Sequence, residues 1–151
     1  MGPWQRLSAE DNLAIEAAIT ATDCESLRLQ DATTLSGGER TRMLLARALA
    51  AQPRVLLADE PVAALDLRHQ LQTMTVLREF ACDDRACLVV LHDLSLAARY
   101  CDRLYLMHEG KVVAEGLPSE VLNAENLKNV YGVEVEFGDG DIPSIVPVRE
   151  V

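Results

Sequence analysis

Val55-Leu56-Leu57-Ala58-Asp59-Glu60-Pro61 is an apolar run that stops abruptly at two carboxylates and a proline. A short unbroken run of this kind predicts a strand buried on both faces, as in a parallel sheet covered by helices. Cys87-Leu88-Val89-Val90-Leu91 repeats the pattern and stops at His92-Asp93. Between them a helix is expected from about Asp66, with Leu67, Leu71, Met74, Leu77 and Ala81 on one face. Strand, helix and strand, with polar residues gathered where the strands end, is the doubly wound α/β pattern, whose ligands bind at the carboxyl ends of the strands. The alternation begins only after residue 53, and two strongly apolar strands make only part of such a sheet.

Upstream, Ser36-Gly37-Gly38-Glu39 starts a helix expected to reach about Ala51, with Pro53 closing it. Ser8-Ala9-Glu10-Asp11 opens an earlier helix, with Leu13, Ala14, Ala17 and Ala18 at helical spacing. Thr20 to Thr34 is polar and turn-rich, with a short element at Leu27 and Leu29. Downstream, a short helix is expected over Leu94 to Tyr100. Strands follow over Arg103 to Met107 and Lys111 to Ala114, about the turn Glu109-Gly110. Helices at Pro118 and over Ala124 to Tyr131 precede a strand over Val133 to Phe137. A turn at Gly138 to Asp141 then lets Ile145 to Val148 pair back.

Four segments carry chemistry, and each has a plainer reading. Ser36 is a good N-cap and Glu39 completes a capping box, while Gly37 and Gly38 leave the first-turn N–H groups open to a phosphate. The plainer reading is a well-capped helix. Asp59 can hold Mg²⁺ through water and Glu60 can polarise an attacking water, or the pair is an ordinary turn after a strand. In Ala64-Leu65-Asp66, Asp66 is placed as the N-cap of the next helix. A neutral His92 at a strand tip can bond a γ-phosphate, although a histidine there is more often structural.

Composition narrows the classes. Of 151 residues, 49% are hydrophobic, enough for a packed core. The net charge of −10, with no block of Lys or Arg, argues against nucleic acid or an anionic lipid surface as a partner. Cys24, Cys82, Cys87 and Cys101 form no Cys-x-x-Cys pair, which fits reduced thiols better than disulfides or a metal site. Met1 to Arg6 contain no apolar leader, and no apolar stretch approaches the roughly 18 residues of a membrane span.

In this order and spacing, the four segments resemble the second half of an ATP-binding cassette. Leu35 to Glu39 is similar to the family's signature motif, Val55 to Glu60 to its Walker B strand, Ala64 to Asp66 to its D-loop and His92 to its H-loop. Ala46-Arg47-Ala48-Leu49 in the linking helix fits as well. The resemblance implies a partial P-loop NTPase fold: a helical subdomain over residues 1–53, half of the parallel-sheet core over 54–116 and a C-terminal extension over 117–151. It implies ATP and Mg²⁺ as cofactors, with Ser36, Gly37, Gly38, Glu39 and Asp66 at the nucleotide, Asp59 at the metal, and Glu60 and His92 catalytic. It also implies a second cassette in a homodimer and a membrane permease, with the cassette on the cytoplasmic face of the plasma membrane.

The departures are as informative. Ala58 stands where the family has a larger apolar residue, and no Gly-x-x-x-x-Gly-Lys-Ser/Thr phosphate loop occurs. Neither a glutamine loop nor a nucleotide-stacking aromatic is found, Trp4 being poorly placed for the latter. The expectation is a chain that begins partway through the domain. His92 to Arg103 and Val130 to Val135 look like importers of iron siderophores, haem and cobalamin. A cassette ATPase outside transport, or a non-catalytic remnant that only binds a partner, are the competing expectations.

Overall fold

Ser8 and Asp11 start the first helix by satisfying each other. In the computed structural model, which describes residues 7–82, 84–138 and 144–151, the Ser8 hydroxyl accepts the Asp11 N–H at 3.0 Å and the Asp11 carboxylate accepts the Ser8 N–H at 2.8 Å. The readings made at Met1 to Arg6, and most of the turn expected at Gly138 to Asp141, fall outside the described residues. Two compact units form, one ending at Val90 and one running from Leu91 to Val151.

In the first unit, α1 (Ala9–Ala21) packs on α2 (Gly37–Ala50). Sequence spacing places Leu13 and Ala17 on the packed face of α1, but both are exposed. The inward stripe is Ala18, flanked by Ala14, Ile15 and Ile19. Thr22 ends α1, its buried hydroxyl donating to the Ala18 carbonyl at 2.9 Å. A short 3-10 turn, Glu25–Leu27, follows.

β1 (Val55–Asp59) and β2 (Ala86–Val90) pair in parallel, with Leu57 opposite Leu88 and Asp59 opposite Val90. The helix between them, α3 (Leu67–Phe80), packs against β2. Its fully buried residues are Thr73, Met74, Leu77 and Phe80. Leu67 and Leu71, expected on that face, are exposed. The opening turn of α3 lies against loops instead of the strands, so the buried stripe starts a turn later.

The expectation that β1 is buried on both faces needs correcting. Leu56 is buried and Ala58, Cys87 and Val89 are half-buried, but side chains alternate along a strand. The opposite face shows Val55, Leu57, Leu88 and Val90 to solvent, Leu57 with 71% and Leu88 with 57% of its surface exposed. Among the described residues no helix layer covers it. Such a patch drives association. The chain on its own is therefore expected to be oligomeric in size-exclusion chromatography with light scattering, and Leu57→Glu with Leu88→Glu should shift it toward monomer. A monodisperse parent monomer that unfolds cooperatively would contradict this.

In the second unit, α4 (Leu94–Tyr100) is capped by Asp93, whose carboxylate accepts the Leu96 N–H at 2.9 Å. β3 (Leu104–His108) and β4 (Lys111–Gly116) form a hairpin. Its two turn residues, Glu109 at φ 49° and Gly110 at φ 75°, both take the left-handed backbone that a tight hairpin turn requires. α5 (Pro118–Val121) and α6 (Ala124–Tyr131) follow, and α6 ends on Gly132 at φ 66°. β5 (Val133–Phe137) and β6 (Ile145–Glu150) pair antiparallel. The core is Leu106, Val121, Leu122 and Leu127, with Leu94, Ala98, Val130, Val135 and Ile145 against it. The Ile145 N–H donates to the Ser95 hydroxyl at 3.0 Å, tying the last hairpin to α4.

Candidate functional site

The N-terminus of α2 is built by its own side chains. The Ser36 hydroxyl accepts the Glu39 N–H at 3.3 Å and donates to the Glu39 carboxylate at 2.8 Å, which also accepts the Ser36 N–H at 2.9 Å. The Ser36 backbone N–H, and then its hydroxyl, hold the Glu39 carboxyl below the usual glutamate range. With Glu39 N–H on Ser36 and Arg40 N–H on the Ser36 carbonyl at 2.9 Å, the first-turn donors left to face a ligand are those of Gly37 and Gly38. Among the predicted nucleotide residues, Glu39 is therefore occupied in the cap.

The two glycines differ in what they allow. A Cβ at Gly37 would meet only the Ala64 Cβ, at 3.7 Å, an ordinary contact. One at Gly38 would lie 3.0 Å from the Ala64 carbonyl oxygen and 3.5 Å from Leu65 Cδ2. Gly38 is glycine because the backbone of the 62–65 loop passes directly over it. The structure thus brings Ser36 to Gly38 together with the loop before Asp66, segments that are separate in sequence.

Asp59 is the exposed last residue of β1, and Glu60 follows it with its N–H donating to the Val90 carbonyl at 3.1 Å. This bond carries the β1–β2 ladder one residue past the strand and fixes the turn. Glu60 sits at φ 46°, the left-handed region that L residues rarely adopt. Asp23, Gln52 and Glu109 take the same region, so at Glu60 it marks the sharp turn that ends the strand.

Asp66 caps α3, its carboxylate accepting the His69 N–H at 2.9 Å. That N–H, and then the His69 ring, hold its carboxyl below the ordinary aspartate range. The Gln70 amide donates to the Val62 carbonyl at 3.3 Å and the Leu65 carbonyl at 3.1 Å, so the loop is pinned by the helix it precedes. Sequence reading missed His69 and Gln70. Their positions three and four residues after a capping aspartate were the available signal. His92 is exposed and immediately precedes the α4 cap Asp93 in the second unit.

For a divalent cation, a single exposed carboxylate at a strand tip fits Mg²⁺, which takes one or two carboxylates and fills its shell with water and phosphate oxygens. For a triphosphate, an exposed helix N-terminus with two glycine N–H groups fits equally well.

Comparison with known proteins identifies one family. The ABC transporter family profile matches residues 5–63. A hemin import ATP-binding protein of Thermobifida fusca is 40% identical over 152 residues, covering 97% of this chain and 54% of that protein. A cobalamin import ATP-binding protein of Halobacterium salinarum is 42% identical over 139 residues, covering 91% of this chain and 35% of that protein. The chain spans about half the length, or less, of these relatives. Among solved structures, an inward-facing metal-chelate type ABC transporter superposes with a TM-score of 0.82 at 21% identity, over 99% of this chain and 61% of that one. The dimeric ATP-binding cassette MJ0796 bound to ADP and phosphate superposes with a TM-score of 0.66 at 28% identity, over 76% and 50%. The family profile, the relatives and the solved cassettes point the same way: the chain belongs to the ATP-binding-cassette family.

Proposed function

We propose that the chain is the signature, Walker B, D-loop and H-loop portion of the ATP-hydrolysing subunit of an importer, with haem, cobalamin or iron-siderophore chelates as the cargo class. The observation that carries this is the packing of the Ser36–Gly38 helix start on the 62–65 loop, which gives one chain a single face holding both elements. In the cassette arrangement that face meets a second cassette. Gly37 and Gly38 N–H groups face the γ-phosphate held by the partner; Ser36 meets it by turning its hydroxyl away from Glu39, which acts through Ser36. Asp66 reaches across the dimer. Asp59 holds Mg²⁺ through water, Glu60 orients and polarises the attacking water, and His92 reads the γ-phosphate. Bound Mg²⁺ neutralises charge on the phosphates. The dimer works on a membrane permease, which places the chain at the cytoplasmic face. Among the described residues no helix is long and apolar enough to cross a membrane.

The phosphate loop, whose N–H groups and lysine hold most of a triphosphate, does not occur in the 151 residues. The chain alone is therefore expected to show no ATP turnover, and the chain co-expressed with the phosphate-loop half of a relative is expected to show it. Turnover by the chain alone that Glu60→Gln abolishes would overturn the assignment of parts. No turnover even in the reassembled cassette would favour the reading as a non-catalytic partner-binding remnant.

A further inference from the structure

Asp66 is held from two sides, and the second side is not a helix cap. The His69 ring lies mostly buried, with 18% of its side chain exposed. Its Nδ1 is 2.9 Å from both carboxylate oxygens of Asp66. Its Nε2 is 3.5 Å from the carboxylate of Asp23, in the turn that follows α1. Asp23 is itself fixed in place. It takes the left-handed backbone at φ 55°, which aspartate tolerates better than most residues. Its carbonyl accepts from the Arg42 guanidinium of α2, which also donates to the Thr22 carbonyl at 3.2 Å. From α3, Arg68 reaches the Asp23 carboxylate at 3.3 Å, and the Gln72 amide donates to the Ala21 carbonyl at 3.1 Å.

We infer that His69 is a positioning residue, a clasp that ties the D-loop aspartate Asp66 to Asp23 so that the loop and the helical segment carrying Ser36–Gly38 move as one body. A helix cap needs only the Asp66 carboxylate and the His69 backbone N–H. The ring adds a bridge between two carboxylates on separate segments. The ring is hydrogen-bonded to Asp66 through Nδ1 and presents Nε2 to the Asp23 carboxylate at ion-pair distance, so a ring with a proton on each nitrogen is attracted to both. The charged groups facing it are Asp66, Asp23 and Arg68. The functional meaning rests on the reading of Ser36–Gly38 and Asp66 as two parts of one dimer face. Through the clasp, displacing one displaces the other.

Hydrogen exchange of the 151-residue chain without nucleotide tests the clasp independently of any ATPase activity, and it tolerates self-association. Asp23→Asn should raise exchange of the amides at 67–70, beyond its own turn, by about two- to fivefold, the lower end of the coupling between groups in direct contact. His69→Asn keeps a donor near Asp66 but is too short to reach Asp23. Because Arg68 also meets the Asp23 carboxylate, the comparison is made with Arg68→Ala present throughout; with His69→Asn added, Asp23→Asn should no longer affect 67–70. If Asp23→Asn leaves 67–70 unchanged, or changes them equally in the parent and in the His69→Asn background, the ring is only an accessory of the cap and the inference fails.

Discussion

Gly38→Asp, placed in a cassette completed with a phosphate loop, is expected to keep ATP binding and to lose nucleotide-driven dimerisation and hydrolysis. Turnover should fall by about 100-fold or more, the scale of removing a donor that faces transition-state charge. Two effects add at this position. A Cβ comes to 3.0 Å from the Ala64 carbonyl oxygen, so the 62–65 loop has to give by a few tenths of an ångström at the helix start. A carboxylate there also sets a negative charge among the N–H groups that would face phosphate. Binding survives because the proposed ATP is held mainly by the phosphate loop of the opposite cassette. Gly37→Ala separates the two effects, since its Cβ meets only the Ala64 Cβ at 3.7 Å. It should leave the loop in place, and any loss of turnover then reports on phosphate approach alone. Equilibrium nucleotide binding, light scattering and phosphate release, measured on parent and variants, decide the matter. If Gly38→Asp dimerises and hydrolyses ATP like the parent, the Ser36–Glu39 segment is a capping box and nothing more.

Glu60→Gln should do the reverse, giving an ATP-loaded, closed dimer whose hydrolysis is slower by roughly 100- to 10,000-fold, the usual range for loss of a general base. Size and hydrogen-bonding reach are preserved, and the bond that fixes the turn runs from the backbone N–H to the Val90 carbonyl, so the substitution does not touch it. A dimer that forms with ATP and persists for hours is the expected observation. Unchanged turnover would move the water-polarising role away from Glu60.

Much of this site is legible locally. The Ser36–Glu39 box, the Asp66 cap and the strand ending at Asp59 are set by residues three or four apart or by one apolar run, and they form where their spacing predicts. α6 and β5 likewise begin and end at the expected residues. What sequence reading does not supply is long-range. An apolar run says that a strand is fit for burial on both faces; a partial sheet implies an uncovered strand, but not that the face with Leu57 and Leu88 is the one left bare. Leu67 and Leu71 match helical spacing, but the strands do not extend beneath the first turn of α3. The meeting of Asp23 with His69, and of Gly38 with Ala64, arises from α1 and α2 folding back toward the start of α3, and no short-range pattern encodes it.

The left-handed backbone of Glu60 has a consequence for how such a sequence drifts. At φ 46° a glycine or asparagine is at ease where most side chains are strained by about 1 kcal/mol or more. If Glu60 polarises the attacking water as proposed, folding and turnover pull this position in opposite directions. When selection for hydrolysis relaxes, Gly and Asn are the replacements that stabilise the turn, and a cassette carrying one of them would be sturdier than its active parent and silent. On the proposed role of Glu60, the residue at this one position in a neighbouring sequence would record whether that lineage keeps its water-polarising group.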